Sequence, residues 1–523
     1  MRISILTLLF HILCLLLALN TAPLHANKEE VEALLQWKIN GLSSSSSTSL
    51  LDSWSVNNLT DVCSWEGIIC NSASSISELN LPHGNIRGTL EPLAFSSLPN
   101  LTHINLNNDS FSGVIPSAIT TLLKLTFLDL SNNKFTGTIP VEVGQLTELK
   151  YFSCFRNFLD DVIPFEISNL QNLRYLDLGV NNLETPNWSK FHAMPSLSHL
   201  NLRANDFTLD FPKDLITSCP NLSYLDLSKN HFIGQISVSV FSKLESLEHL
   251  DLGNNLFQGP FPISLTNLST LKFLRLSYNN LSGTIPHEIG SITSLQVLKL
   301  VNNSFRGNIP PSIGNLKHLQ YLDLGFNLLN STIPVAIGSM NSLRVLVLQY
   351  NSFQGKIPPS GTNLEFLYLA NNFLTGELPP SMSNLSKLVV LDLSSNRLSG
   401  QLVPHLFANW TQLAFLFMDR NNFSGRIPVE LGLCTNLELL YLDNNFLTGE
   451  LPPSMSNLSK LVGLDLSSNR LSGELPPSMS NLSKLVVLDL SSNMLSALSR
   501  IQQNEWTYSK MLGKHKSKSS ASQ

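Results

Sequence analysis

Cysteine is scarce in this chain, six residues in 523, which is too few for a disulfide scaffold. Charge is scarce as well: Asp, Glu, Lys and Arg make up 14%, with a formal net charge of −5. That balance argues against a nucleic-acid binder, which needs a basic face. Beyond the first 26 residues no apolar stretch approaches the ~20 residues of a bilayer span, so no membrane span is expected in this sequence. A Gly-rich phosphate loop closed by Lys-Ser/Thr, a His-Glu-x-x-His pair and a kinase catalytic loop are all missing. The 12 histidines show no metal-ligand spacing. His103, His199 and His249 recur at one position of separate repeats and read as exposed surface groups. The expectation is a non-enzyme with no metal and no cofactor.

What the chain has in quantity is one pattern of 24 or 25 residues, repeated about 18 times from Ile76 to Leu495. The template is Leu-x-x-Leu-x-Leu-x-x-Asn-x-Leu-x-Gly-x-Ile-Pro, carried by Leu125, Leu128, Leu130, Asn133, Phe135, Gly137, Ile139 and Pro140. A period of this length predicts a solenoid in which each unit buries its leucines against its neighbours. The fold class expected is an α/β repeat: a leucine-rich-repeat solenoid with a parallel β-sheet on its concave face and an N-terminal cap. Alternating Leu-x-Leu forms a short strand, and stacked strands lie ~4.8 Å apart. The asparagine after the strand recurs in nearly every unit, Gly84 and Asp109 being the exceptions. Its amide can both donate and accept, so it reads as a structural group that satisfies the turning backbone. The unit at Leu173 lacks Gly-x-Ile-Pro and reads Leu183-Glu-Thr-Pro-Asn-Trp-Ser, which predicts an irregular outer side there. Residues 371–400 and 444–473 are identical except that Val390 becomes Gly463.

The flanks differ from the array. Residues 1–26 read as a secretion signal: Arg2, an apolar run from Ile3 to Leu19, and Ala26 as the expected cleavage site. Residues 27–75 read as an amino-terminal cap, its helix started by Asn27 and Glu30 and facing inward with Val31, Leu34, Leu35 and Lys38. Trp54, Trp65 and a Cys63–Cys70 pair are expected to cover the first leucines, the pairing following from an oxidising compartment. Cys154 replaces a repeat leucine and should point into the core, whereas Cys219 and Cys434 give no confident pairing. Secretion makes the sequons at Asn58, Asn100, Asn187, Asn221, Asn267, Asn330, Asn384 and Asn409 expected glycosylation sites. Residues 496–523, with Lys510, Lys514, Lys516 and Lys518, read as a disordered basic tail.

A ligand is expected on the outward positions of the strands. The residue between the second and third repeat leucines is often Asp, as in Asp129, Asp177, Asp226, Asp251 and Asp323. Arg275 and Lys299 replace it in successive units, with Tyr278 close by. Two like charges on adjacent strands fit an anionic group such as a peptide carboxylate; alternatively Asp251 and Asp323 neutralise them as a surface ladder. A second stretch places Val347, Tyr350, Tyr368, Phe417, Arg420 and Tyr441 at outward strand positions, where Tyr and Arg favour binding hot spots. Tyr151, Tyr175, Tyr224 and Tyr321 recur at one position and read as scaffold.

The Leu-x-Gly-x-Ile-Pro variant of the repeat and the cap Cys63-Ser-Trp-Glu-Gly-Ile-Ile-Cys70 resemble the extracellular part of plant leucine-rich-repeat receptor-like kinases and receptor-like proteins, over roughly residues 1–495. The resemblance implies a right-handed superhelix, secreted or at the cell surface, that binds a peptide or protein ligand on its concave face. It also implies recruitment of a receptor-kinase co-receptor, in defence or developmental signalling. The long island of steroid-sensing members is absent, which favours a peptide or protein ligand. Receptors of this family continue into a membrane span, and the kinases among them into a catalytic domain; neither is found in this sequence. The alternatives are a secreted inhibitor of a microbial cell-wall-degrading enzyme, a role of shorter relatives, and a truncated decoy.

Overall fold

The computed structural model describes residues 28–42, 49–55, 62–359 and 363–496. The expected signal, Asn27, the Asn58 sequon and all of the basic tail but Ser496 lie outside the described residues. Contacts divide the chain into two units, Met1–His231 and Phe232–Gln523.

In the first unit three-residue strands stack in parallel and in register: His103–Asn105 pairs with Phe127–Asp129, which pairs with Tyr151–Ser153, and so on to Tyr224–Asp226. The second unit repeats the arrangement from His249–Asp251 to Val487–Asp489. The pleat sends the middle residue of each strand inward, so Leu128, Leu176, Leu274 and Leu464 are buried together with the leucines that bracket them. Each unit is thus a leucine-rich-repeat stack whose core is a column of leucines.

The repeat asparagine secures each turn. Asn133 donates through Nδ2 to the carbonyls of Leu106 and Leu130 at 2.7 and 3.1 Å, and its Oδ1 accepts the Phe111 N–H at 2.9 Å. One buried amide therefore ties its own turn to the preceding repeat. Asn279, Asn327, Asn351 and Asn396 do the same in the second unit. The residue just before this asparagine takes a left-handed conformation, φ 55° at Asn132 and 54° at Tyr350. Asparagine tolerates that region better than most L-residues.

The Gly-x-Ile-Pro segment builds the outer side. Lys134–Gly137 is a second strand ending at Gly137, φ 72°, and Pro140 leads into the 3-10 turn Val141–Gln145. In the first unit this second sheet runs from Arg87–Gly88 to Phe158–Leu159. It then gives way to isolated bridges at Glu184, within the repeat that lacks the motif.

The cap is the helix Lys28–Gly41 with the turns that follow it. Val31, Leu34 and Trp37 are buried; Trp37 lies 5.9 Å from Phe111 and 6.1 Å from Trp54, which stacks on Trp65. Cys63 and Cys70 form a disulfide, and Ile68–Cys70 pairs antiparallel with Ile76–Asn80. The Glu30 carboxylate does not fold back on its own helix. It is buried and accepts the Ser75 hydroxyl and the Ile76 N–H, which locks the cap to the first repeat. Lys38 is held by the Leu51 and Trp54 carbonyls rather than by apolar packing. Cys154, Cys219 and Cys434 are buried free thiols. Among the described residues no helix is long and apolar enough to cross a membrane.

Candidate recognition surface

The aspartates between the inward leucines are not outward ligands. Asp129, Asp177, Asp226, Asp251 and Asp323 are all less than a tenth exposed. Each turns a carboxylate onto the N–H two residues ahead, as Asp251 does to Gly253 at 2.8 Å. Burial is also why the carboxyls of Asp177 and Asp323 sit above the usual range, Asp177 at about 6.

Arg275 and Lys299 take their place in two successive strands and are engaged by what surrounds them. Arg275 donates to Asp251 Oδ2 at 3.3 Å, and the Lys299 ammonium lies 4.4 Å from the centre of the Tyr321 ring. Lys299 also offsets part of the burial effect on Asp323. The Arg275–Asp251 pair is one rung of the neutralised ladder, whereas Lys299 lies over the Tyr321 ring rather than in an ion pair with Asp323.

The expected aromatic stretch divides into two positions. Tyr368, Phe417 and Tyr441 end their strands and are half-exposed, with Phe417 and Tyr441 5.3 Å apart and tilted by 58°. Val347 ends its strand too but is only 8% exposed, so it belongs to the core. Tyr278, Tyr350 and Arg420 are not on strands at all: they occupy the left-handed turn before the asparagine, at φ 57°, 54° and 52°. Phe326, φ 51°, occupies the same turn one repeat before Tyr350 and was not singled out from sequence. Counting back from Asn327, as Tyr350 is counted from Asn351, would have found it.

Phe326 and Tyr350 stack at 4.2 Å with 17° between their planes, 43% and 47% exposed. A bulky residue in the left-handed region carries strain on the order of 1 kcal/mol, which asparagine at the same place largely avoids. Neither ring fills the core. Two strained, exposed and mutually stacked rings form a flat apolar face of the kind that hot spots use.

Around Phe417 and Tyr441 the acid has moved. In these two repeats an aromatic residue ends the strand and the carboxylate sits two residues later, at Asp419 and Asp443. Burial, then repulsion from Asp443, raises Asp419 to about 6, with Arg420 opposing. Burial raises Asp443 as well, the hydrogen bond from Asn444 opposing it and repulsion from Asp465 adding to it.

The histidines expected at the surface are half-buried members of a column. His103, Phe127, Tyr151, Tyr175, His199 and Tyr224 stack in sequence at 4.1–4.3 Å. In the second unit His249 stacks on Phe273 at 4.2 Å. Stacking removes these imidazoles from water, and that desolvation lowers His103 and His249 below the usual range. Of the sequons, Asn187, Asn221, Asn267, Asn330, Asn384 and Asn409 are exposed. Asn100 is half-buried, its amide donating to Ser75 and accepting from Lys124.

Residues 27–71 match the leucine-rich-repeat N-terminal domain family. Residues 74–135, 148–207, 220–281 and 435–500 match the leucine-rich-repeat family, and 263–356 a leucine-rich-repeat region. The chain belongs to the leucine-rich-repeat proteins. Within that family it is similar to plant receptor kinases and receptor-like proteins. It is 46% identical over 91 residues to MDIS1-interacting receptor like kinase 2 of Arabidopsis thaliana, a match covering 17% of this chain and 8% of that protein. It is 41% identical over 100 residues to the receptor-like kinase SKM1 of the same plant, covering 19% and 10%. These matches thus span only a small part of the curated relatives' length.

Among solved structures, the leucine-rich-repeat ectodomain of the Arabidopsis receptor kinase HAESA, in complex with an extended IDA peptide hormone, aligns with a TM-score of 0.75. Identity is 29%, over 89% of this chain and 82% of that one. HAESA with IDA and the co-receptor SERK1 aligns at 0.72 and 30% identity, covering 89% and 86%. The PEPR1–AtPEP1 complex aligns at 0.71 and 28%, covering 90% and 76%. This leucine-rich-repeat protein therefore resembles ligand-binding receptor ectodomains and not catalytic domains.

Proposed function

We propose that the chain is the extracellular recognition module of a receptor-like protein or receptor kinase, binding a peptide or protein ligand. The observation that carries this reading is the exposed, strained Phe326–Tyr350 stack, which folding alone does not require. Tyr278 on the same turn, and Tyr368, Phe417, Arg420 and Tyr441 on the neighbouring repeats, extend the contact surface. Arg275 and Lys299 are assigned to the scaffold, since Asp251 and the Tyr321 ring already engage them. The peptide hormones and the SERK1 co-receptor in the similar structures support a peptide ligand and a co-receptor kinase for this chain. Secretion or display at the cell surface, with glycans on the exposed sequons Asn221, Asn267, Asn330, Asn384 and Asn409, follows from the same reading.

The test is a binding screen of the secreted chain against plant secreted peptides, followed by Tyr350→Ala and Phe326→Asn in any hit. A tenfold or greater loss of affinity with unchanged melting supports the site. Retained affinity in both variants refutes it.

A further inference from the structure

Wholly within the first unit, and distant in sequence from the rim just described, an open cavity of about 630 Å³ crosses the outer side of four successive repeats. Its origin is legible in the template. Ile115, Ile139 and Ile163 form a buried floor, one isoleucine per repeat. In the next repeat Asn187 stands where the isoleucine would be, and the chain detours through the short turn Trp188–Lys190. The missing isoleucine leaves the floor open at that end. Val114, Val141 and Val162 stand exposed along it, at 42%, 53% and 39%.

The rim is acidic. Glu142 and Glu166 occupy the same position of adjacent repeats. Asp161 takes the place of the template glycine in a left-handed conformation, φ 63°, its Oδ1 accepting the Val162 N–H. None of these three carboxylates makes an ion pair among the described residues. The one cation in the lining, Lys190, rests 5.5 Å from the centre of the Phe165 ring. Asp161 holds the left-handed turn by capping the Val162 N–H with Oδ1, which leaves Oδ2 for the rim, and the like charges of Glu142 and Glu166 on adjacent repeats repel until a cation lies between them.

We propose that this groove docks a short extended segment of a partner protein in which aliphatic and basic side chains alternate. Three floor isoleucines at a repeat spacing of ~4.8 Å span about 10 Å, the length of three to four extended residues. Alternation places aliphatic groups on the floor and Lys or Arg at the rim carboxylates. The volume is within the ~300–1,000 Å³ of ordinary ligand sites.

The probe is the peptide acetyl-Lys-Val-Lys-Val-Lys-amide, titrated calorimetrically into the whole secreted chain at 0.15 M salt, beside its counterpart with Glu for Lys. Saturable binding of the basic peptide alone is expected. Glu142→Lys with Glu166→Lys should weaken it at least tenfold. Asp161→Gly, which restores the template residue and so keeps the fold, should weaken it about threefold. Glu430→Lys with Glu474→Lys changes the net charge equally in the second unit and should leave affinity within twofold, as should Tyr350→Ala. Absence of binding, equal binding of both peptides, no loss at the groove, or equal loss in the control pair overturns the proposal. Because Tyr350→Ala tests the recognition rim alone, failure of either reading leaves the other standing.

Discussion

Asp109 accepts the backbone N–H of Ile86 through Oδ1 at 2.8 Å, the bond that Asn133 makes to Phe111 one repeat later. Where Asn133 donates with Nδ2, Asp109 presents Oδ2, which is buried with no partner. Burial accordingly raises its carboxyl from 3.8 to about 6. Asp109→Asn supplies the missing donor and should stabilise the first unit by about 1 kcal/mol at pH 7.5. The gain should shrink at pH 5, where the protonated acid can itself donate. Melting curves of both proteins at the two pH values decide it; equal melting at pH 7.5 refutes the argument.

This asparagine ladder was fully legible in the sequence, because its period, its residue type and its need for a donor and an acceptor coincide. The strands and the buried Cys154 were legible for the same reason. The proposed recognition surface was less so. Period-two alternation marks which strand residues face outward, and it found Tyr368, Phe417 and Tyr441. It says nothing of the turn, where backbone handedness rather than alternation decides exposure, so it misses Phe326 and assigns Tyr350 and Arg420 to strands. The aspartates misled because an outward position is normally solvated, whereas here the carboxylate bends back to cap the N–H two residues on.

Mild acid should stabilise the protein. Asp109, Asp177 and Asp419 are raised to about 6, and Asp323, Asp392 and Asp443 are raised as well, in each case chiefly by burial. A carboxyl raised in the folded state contributes stability at low pH that is lost as pH climbs through its folded value. His103 and His249 are lowered, so their contribution is present above 6.5 and lost as pH falls below it. The carboxyls outnumber them, and the melting temperature should rise from pH 7.5 to pH 5.5. His103→Phe, which keeps the ring column, should steepen the rise. A melting temperature that falls over this interval contradicts the burial argument.

Adjacent residues of one turn should separate stability from binding. Asn327→Ala removes a buried amide that bonds the Leu300 and Leu324 carbonyls and accepts the Phe305 N–H. Its loss should cost on the order of 2–4 kcal/mol in chemical denaturation. Phe326→Asn places in the left-handed turn the residue found at Asn132 and should stabilise by up to about 1 kcal/mol while weakening ligand binding. If Phe326→Asn destabilises the protein instead, the ring serves packing and not recognition.

The two copied segments contain their own control. A Cβ on Gly463 would lie 2.7 Å from Leu439 Cδ2, which would have to shift, and 3.3 Å from Tyr441 Oη, a tight contact, so the glycine leaves room for both side chains of the neighbouring strand. In the otherwise identical earlier copy Val390 occupies that position, 6% exposed, and the fold accepts valine there beside Phe366, which stands where Leu439 faces Gly463. Gly463→Val should therefore leave the protein folded while shifting Leu439 and crowding the tyrosine ring. The crowding is a coupling between two side chains, and a double-mutant cycle with Tyr441→Ala measures it. Contacting residues are expected to couple by 0.5 kcal/mol or more. Additivity within ~0.3 kcal/mol would mean that Tyr441 already lies clear of residue 463. With coupling established, the affinity of Gly463→Val for a ligand reports whether that ring orientation is the one recognition uses.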